Sequence, residues 1–267
     1  MAKYKKKRAR ELQHDKFRDT TMSLLDQVGE RLEGKGRTIL YGLGGLLVAA
    51  FLVIFFIKWS GRKSDEARQA LARGIDISTG IITSTPGPNP SETTFTNEVE
   101  RSQKAIAEFE KVVAKYGDPY KTQARYFIAS NRMVLDRQKG MSEFKELANS
   151  GIPEVAALSN FALAQAYESD GKFDEAVSLY QQLVKLNNPA VTAETANLRL
   201  AKVYIKQGKK KEGSDLLFNI VDASRKAKGK NDQPVPTSAA ARDAANELQK
   251  VDPDRYAQLP PEQPILG

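Results

Sequence analysis

The pattern of hydrophobic and polar residues separates one long apolar run near the N-terminus from a longer part with helical periodicity. Residues 39–57 read ILYGLGGLLVAAFLVIFFI and contain no charged residue. At about 1.5 Å per residue, a helix of this length covers about 28 Å, close to the hydrocarbon thickness of a bilayer. Tyr41 lies near one end and Lys58-Trp59 follow the other, as expected at a lipid–water interface. The pattern predicts one transmembrane helix over residues 39–59.

Two alternatives fit this run less well. A buried helix of a soluble protein usually carries a polar stripe, and this run has none. A cleaved signal peptide is disfavoured because the preceding tail and the apolar run are both too long. In addition, Lys58-Trp59 stand where small residues should precede a cleavage site.

Residues 1–38 are interpreted as a basic arm followed by an amphipathic juxtamembrane helix. The first ten residues, MAKYKKKRAR, include six basic residues and no acidic one. From Glu11 to Glu33, apolar positions recur at steps of three and four, which predicts a helix along the membrane surface or docked on a membrane partner. For the arm, three interpretations remain open: an orientation signal without a partner, adsorption to anionic lipid, or contact with RNA or a ribosome.

The residues after the span predict an all-α fold. Residues 60–97 contain a helix over Asp65–Ile82 and a proline-rich loop, TSTPGPNPSETTFTN, over residues 83–97. Residues 98–228 predict helices separated by turns, and almost no stretch alternates with period two, which argues against a sheet. Residues 229–267 predict a flexible segment with one helix, Ser238–Lys250. The predicted helices of the central region are Glu98–Tyr116, Lys121–Gln138, Ser142–Asn149, Glu154–Ser169, Phe173–Leu186, Thr192–Gln207 and Lys211–Lys226.

A repeated pattern of 37 residues occurs within this helical region. The first copy contains Leu163-Ala164-x-x-Tyr167, Gly171, Phe173, Ala176-x-x-x-Tyr180 and Pro189; the second contains Leu200-Ala201-x-x-Tyr204, Gly208 and Gly213-x-x-x-Leu217. Weaker copies lie upstream, at Ile128-Ala129 and Ala105-x-x-x-Phe109. The pattern resembles the tetratricopeptide consensus, in which small residues let two antiparallel helices approach and large residues fill the space between hairpins. A generic helical bundle is the alternative, but two copies with a turn glycine at the same offset favour the repeat. The prediction is therefore a transmembrane helix followed by a tetratricopeptide-like α-solenoid.

Composition and motifs give no indication of an enzyme. The net charge is +8, of which +5 belongs to residues 1–38, so the large domain is nearly balanced and nucleic-acid binding is not indicated. The absence of cysteine excludes disulfides, thiolate chemistry and a lipoprotein anchor. The single histidine, His14, lies in the basic tail. No catalytic, metal-binding or cofactor-binding motif is found, and no small-molecule substrate is expected.

The segment Ser64-Asp-Glu-Ala-Arg-x-Ala-Leu71, following directly after the span, completes a resemblance to a known family. Together with the span and the two repeats, it resembles the bacterial ancillary SecYEG translocon subunit family over residues 37–226. The resemblance implies an inner-membrane protein with a periplasmic domain that acts like a chaperone and contacts the Sec translocon and exported or periplasmic proteins.

The orientation of the span is predicted separately from charge. Basic residues flank the span on both sides, but the tail holds eleven of them before it, and the positive-inside rule then places this tail in the cytoplasm. The expectation is a single-pass protein of the bacterial inner membrane with a periplasmic C-terminal domain. The reverse topology, with a cytosolic scaffold, remains a third alternative.

Two hypotheses of function follow. The leading one is a membrane-tethered tetratricopeptide adaptor that mediates protein–protein interactions in protein export or envelope assembly. Its expected peptide groove is formed by first-helix positions between the packing residues, namely Phe161, Gln165, Glu168, Leu198, Lys202 and Ile205. The groove could instead be filled by the chain's own helix, Ser238–Lys250. The second hypothesis is a structural accessory subunit of a larger membrane complex, with Gly45 and Ala49 packing against other membrane helices.

Overall fold

The computed structural model describes residues 63–83, 93–230, 233 and 235–262. The predicted basic arm, amphipathic helix and transmembrane helix all fall outside these described residues. The chain from Asp65 onward forms one compact unit. Within the described ranges, no helix is both long enough and apolar enough to cross a bilayer.

The described chain is almost entirely α-helical, as the sequence predicts. In chain order the elements are α1 (residues 63–78), β1 (Ile81–Ile82), β2 (Thr94–Phe95), α2 (Glu98–Lys115), α3 (Tyr120–Leu135), α4 (Arg137–Leu147), α5 (Pro153–Ser169), α6 (Phe173–Leu186), α7 (Ala193–Lys206), α8 (Lys210–Lys226), α9 (Ala239–Val251) and α10 (Pro253–Tyr256). The two strands pair in parallel, with Ile81 opposite Thr94.

The helices pack as consecutive hairpins. We call the pairs α1–α2, α3–α4, α5–α6 and α7–α8 hairpins one to four; α9 follows as a single helix packed on hairpin four. Two pairs of first helices also contact each other, α3 with α5 and α7 with α9. Helices α5 and α7 are joined by the ion pair between Glu168 and Lys206. No comparable contact joins the second helices α4, α6 and α8 to one another within the described ranges. Because these contacts join first helices, we call their side of the stack the inner face.

The hydrophobic core is divided among the junctions of this stack. Hairpins one and two share a cluster around Phe109, and hairpins two and three share one around Phe144. A third cluster, around Tyr180, joins hairpins three and four. The last, around Leu217, joins hairpin four to α9 and α10. Each hairpin therefore buries its apolar surface only against its neighbours, as in a solenoid.

Hairpins three and four correspond position by position at the 37-residue spacing. Gly171 and Gly208 both adopt positive φ, 70° and 78°, a conformation that favours glycine. In each turn the following lysine N–H donates to a tyrosine carbonyl oxygen at 2.9 Å, from Lys172 to Tyr167 and from Lys209 to Tyr204. The small residues at the hairpin crossings are buried, as predicted: Ala164, Ala176, Ala201 and Gly213. The described chain is thus an all-α stack of tetratricopeptide-like hairpins.

Side-chain caps define where several helices begin. The Asn97 side chain accepts a hydrogen bond from the Glu100 N–H at 2.8 Å, and the Glu100 carboxylate accepts one from the Thr96 N–H at 3.1 Å. This reciprocal arrangement satisfies backbone donors that have no partner within a helix. Thr192 and Ser238 cap α7 and α9 through their side-chain oxygens.

Two local predictions from the sequence are wrong. The helix predicted from Ser142 begins five residues earlier, at Arg137, because Asp136 caps it by accepting from the Lys139 N–H at 3.0 Å. Gly140, which the sequence suggests as a break, therefore lies inside α4. Its missing side chain lets α4 approach Met133, since a Cβ there would lie 2.8 Å from the Met133 nitrogen. The second error is the missed strand pairing: the helix predicted to Ile82 ends at residue 78, and Ile81–Ile82 pair with Thr94–Phe95 of the predicted loop.

Candidate functional site: the inner face of hairpins three and four

The candidate site is the inner face formed by the first helices α5 and α7. Four of the six predicted groove residues remain at least partly accessible there: Phe161, Gln165, Lys202 and Ile205. Phe161 packs edge-on against Tyr180, with ring centroids 5.8 Å apart, so its ring is held in place. Ile205 packs on the cluster that joins hairpin four to α9. Apolar and polar side chains on these two first helices therefore remain partly accessible.

Glu168 is not an open groove residue. Its side chain is 7% exposed. It accepts a hydrogen bond from the Tyr180 hydroxyl at 3.1 Å and one from the Lys206 Nζ at 2.7 Å. Since Glu168 belongs to α5, Tyr180 to α6 and Lys206 to α7, the carboxylate links hairpins three and four. A buried carboxylate with two donors serves to fix the angle between them.

Tyr180 is fully buried in this link. Its burial, together with the adjacent Glu168 carboxylate, raises the pKa of Tyr180 well above its ordinary value, because the charged phenolate is disfavoured there. The hydroxyl therefore stays protonated and acts as the donor. Tyr180 occupies the position of the consensus aromatic residue in the second helix, so the repeat residue also carries a polar function.

Leu198 is also a core residue and not an open groove position. It is 6% exposed and lies in the cluster with Leu217 and Leu248. The reason is α9, which packs against both α7 and α8 and covers the end of the stack. The sequence pattern places Leu198 correctly on the first helix, but it does not show that another helix lies over it.

The chain's own C-terminal helix covers part of the predicted groove, because Leu198 and Ile205 pack in the cluster that it completes. Helix α9, Ala239–Val251, packs on α8 and α7 in the same way that α5 packs on α4 and α3. It therefore takes the place of the first helix of a further hairpin and extends the face. Gly45 and Ala49, the predicted membrane contacts, lie outside the described residues.

One residue of this surface, Lys206, is not predicted from the sequence. Lys206 lies one turn after Lys202 on α7, and its pairing with Glu168 could only be found from the packing of neighbouring hairpins. Lys202 itself has no ion-pair partner among the described residues, so its charge remains available to a ligand. Within the same ranges, no group of three His, Cys, Asp or Glu side chains is placed to hold a metal.

The opposite side of the stack carries two related clefts. A cleft of about 560 Å³ lies over α5 between α4 and α6, lined by Asn160, Leu179 and Gln182 among others. The residues 37 positions later, Asn197, Leu216 and Asn219, line a cleft of about 550 Å³ beside residues 235–238. Asn160 and Asn197 stand where the repeat consensus has an early aromatic residue. The small polar side chain leaves the space that a ring would fill.

Comparison with known proteins finds tetratricopeptide repeats. The family model of the tetratricopeptide repeat matches residues 161–189. The fold is tetratricopeptide-like. No curated protein sequence matches the chain. Two crystal structures of nearly identical TPR-like repeats, from a candidate kinesin light chain of Podosopora anserina, are similar in fold. The first, a variant, has a TM-score of 0.45 and the second 0.44; each is 20% identical and covers 60% of this chain and 81% of that chain.

Proposed function

We propose that this protein is a membrane-tethered, non-enzymatic adaptor that binds protein partners on the inner face of its tetratricopeptide-like hairpins. One observation supports the proposal: Phe161 and Gln165 on α5 and Lys202 and Ile205 on α7 are all partly accessible. Rigid apolar anchors beside adaptable polar groups suit an extended or helical peptide better than a small molecule. No cofactor is required for such binding.

The membrane part of the proposal rests on the uncharged run of residues 39–57. The basic tail favours a cytoplasmic N-terminus and a periplasmic C-terminal domain in the bacterial inner membrane, with the arm against anionic lipid. Combined with the resemblance to ancillary translocon subunits, this arrangement supports a role in protein export or envelope assembly. The proposed partners are the Sec translocon and exported or periplasmic proteins, which the domain would assist as a chaperone-like subunit.

A second candidate function is a fixed structural subunit of a larger membrane complex. The spacing of Gly45 and Ala49 within the apolar run supports it, because small residues four positions apart allow close packing of membrane helices. Affinity purification of the full-length chain in mild detergent, followed by mass spectrometry, separates the two. Translocon subunits with varied exported proteins support the adaptor, whereas one assembly of constant stoichiometry supports the structural subunit.

The inner face is tested directly with the double variant Phe161→Ala and Lys202→Glu. We expect it to lose the partners recovered with the unchanged chain, because it removes the apolar anchor and reverses the available charge. The matched control is Gln103→Ala with Lys111→Glu on α2, where both positions are exposed and far along the chain from the site. Equal recovery with both variants would exclude this face as the binding surface.

The orientation is tested by cysteine labelling, which the cysteine-free chain allows without background. Ser142 is exposed on α4 and serves as the probe for the large domain; Ser23 serves for the tail. A membrane-impermeant thiol reagent, applied to cells with a permeable outer layer, should label Ser142→Cys and spare Ser23→Cys. The opposite labelling pattern would place the domain in the cytoplasm and end the periplasmic proposal.

A further inference from the structure

Basic side chains are concentrated on α7 and at the start of α8. Residues 195–211 contain six basic residues and no acidic one. We call five of them the basic edge: Lys202, Lys206, Lys209, Lys210 and Lys211. Within the described part of the chain, Lys206 alone among these five has an acidic partner, Glu168. Lys209 contacts the Tyr204 ring and donates to the Gln207 side chain, neither of which neutralises its charge.

Helix α2 shows a different arrangement. On α2 every cation has an acidic partner; the pairs are Arg101–Glu98, Lys104–Glu100, Lys111–Glu108 and Lys115–Glu66. The cations of α2 are therefore balanced by nearby carboxylates. The basic edge leaves four lysines unbalanced, which concentrates positive potential at one place on the domain.

The repeat provides a second, independent indication. In hairpin three, the first turn of α6 carries Asp174 and Glu175, which favour the positive end of the helix dipole. At the equivalent positions of hairpin four, 37 residues later, Lys211 replaces Asp174 and Lys210 replaces Phe173, whereas Glu212 retains the charge of Glu175. Lysines at a helix N-terminus oppose the dipole. Hairpin four therefore keeps one of the two acidic residues that stabilise the first turn in hairpin three and replaces the other with lysine.

The basic edge adjoins the accessible apolar part of the inner face. Lys202 lies on α7 one turn before Ile205, and α7 packs across from the helix that carries Phe161. Exposed lysines continue from there around the α7–α8 turn. A ligand that reaches both features must carry negative charge and apolar groups along one chain, which describes an acidic peptide better than a lipid surface.

We propose that the basic edge selects acidic peptide segments as partners. Carboxylates of the bound segment lie against Lys202 and the lysines of the α7–α8 turn, and its apolar side chains contact Phe161 and Ile205. This inference rests on the proposed function, since it names the chemical class of partner for the same face. The lysines repel basic segments, which contributes specificity. They attract acidic segments, which speeds association.

The test measures binding of two fluorescein-labelled peptides to the full-length chain in mild detergent by fluorescence anisotropy. One peptide alternates Glu and Ala around a single Phe, and the other has Gln in place of every Glu. We expect the acidic peptide to bind about tenfold more tightly, an advantage that disappears at about 1 M salt, where the Debye length is about 3 Å. Equal affinity for both peptides at low salt would overturn the proposal.

A charge-matched pair of variants locates the effect. The first is the triple variant Lys209→Gln, Lys210→Gln and Lys211→Gln; the control, Lys104→Gln, Lys111→Gln and Lys115→Gln, removes the same charge from α2. Circular dichroism should show both variants folded. We expect the first to lose about tenfold in affinity for the acidic peptide and the control to change less than twofold. An equal loss in both would show a general charge effect and contradict a site on the basic edge.

Vesicles of phosphatidylcholine with phosphatidylglycerol provide the remaining comparison. If the basic-edge variant loses binding to these vesicles while its affinity for the acidic peptide is unchanged, the edge binds anionic lipid and the proposal is wrong.

Failure of the acidic selectivity can be told apart from failure of the proposed peptide groove. Loss of partners by the Phe161→Ala, Lys202→Glu variant, with equal affinity for the acidic and neutral peptides, would refute only the acidic selectivity. Partners retained by that variant would refute the groove itself.

Discussion

At the scale of single residues, Gly213 shows how closely hairpin four is packed. A Cβ at this position would lie 2.6 Å from Ile205 Cγ1 and 2.9 Å from the Ala201 carbonyl oxygen. The side chain of Ile205 can shift, but the backbone oxygen of α7 cannot move without moving the helix. The consensus alanine is thus replaced by glycine because α7 and α8 approach more closely than a methyl group allows.

We therefore expect Gly213→Ala to destabilise the domain, although alanine favours helix. The gain in helix propensity is about 1 kcal/mol, whereas overpacking costs about 1 to 3 kcal/mol, so the net change is a loss of about 1 kcal/mol. Urea denaturation of residues 63–267, followed by circular dichroism, measures it. Gly151→Ala is the control, because nothing lies within 4 Å of its Cβ position. Increased stability of Gly213→Ala would show that the helices separate at little cost.

Tyr180 gives the domain a defined response to alkaline pH. Because its folded-state pKa is raised above the unfolded value of about 10, the contribution of Tyr180 is fully present below pH 10. As the pH rises above about 10, Tyr180 loses its proton in the unfolded chain before it does so in the folded domain. This deprotonation stabilises the unfolded state, so the free energy of unfolding falls. We expect Tyr180→Phe to lower the free energy of unfolding by about 1 kcal/mol at neutral pH, because the hydrogen bond to Glu168 is lost. Above about pH 10, the free energy of unfolding of this variant should fall less steeply with pH than that of the unchanged domain. Parallel curves of the free energy of unfolding against pH for the unchanged domain and Tyr180→Phe would contradict this account.

At the scale of helices and hairpins, the sequence predicts most elements because the chain obeys ordinary local rules. Apolar periodicity, the turn glycines and the small residues at helix crossings place α5 to α8 within a few residues of their observed ends. The predicted packing of Leu200 and Tyr167 between hairpins three and four is also confirmed, since both lie in or against the shared cluster. The early start of α4 was missed because Gly140 suggests a break where it serves close packing.

The groove was predicted less well because side-chain exposure depends on non-neighbouring parts of the chain. Lys202 and Phe161 lie where the repeat pattern places them, partly accessible on first helices. Glu168 is covered through its bonds to Tyr180 and Lys206, which come from two other helices. Leu198 is covered by α9, which a repeat pattern confined to earlier residues does not contain.

Leu200 tests the junction between hairpins three and four. It is 5% exposed and packs in the cluster around Tyr180. We expect Leu200→Ala to lower the free energy of unfolding by about 2 to 5 kcal/mol, the usual range for truncating a buried leucine. Leu186→Ala on α6 is the matched control; Leu186 is 61% exposed, and its substitution should change stability by less than about 0.5 kcal/mol. An unchanged denaturant midpoint for Leu200→Ala would show that the junction is placed incorrectly.

At the scale of the whole domain, α9 closes the C-terminal end of the stack. Its buried residues Ala241, Ala244 and Leu248 cover the apolar side of hairpin four, and its remaining surface is mainly polar. Repeat proteins require such a terminal element, because an uncovered hairpin would expose its apolar surface to water. The end of the stack is therefore a determinant of solubility.

Leu248→Asp should detach this terminal helix, because a buried carboxylate without a partner is strongly disfavoured. We expect the domain to keep most of its helicity but to bind a hydrophobic dye and to self-associate. Gln249→Asp introduces the same charge at the adjacent exposed position and should behave like the unchanged domain. Light scattering and dye fluorescence provide the measurements. A monomeric Leu248→Asp variant without dye binding would show that α9 is dispensable.

The division of the core into four junction clusters has a mechanical consequence. A domain with one central core loses its structure in a single event under tension, but here each hairpin is retained only by its neighbours. When the two ends are pulled apart in an optical trap, the chain should lengthen in steps, each releasing one hairpin. A 37-residue repeat, at roughly 3.5 Å per extended residue, adds about 130 Å of contour length. The same stack can therefore act as an extensible connector whose length changes by whole repeats.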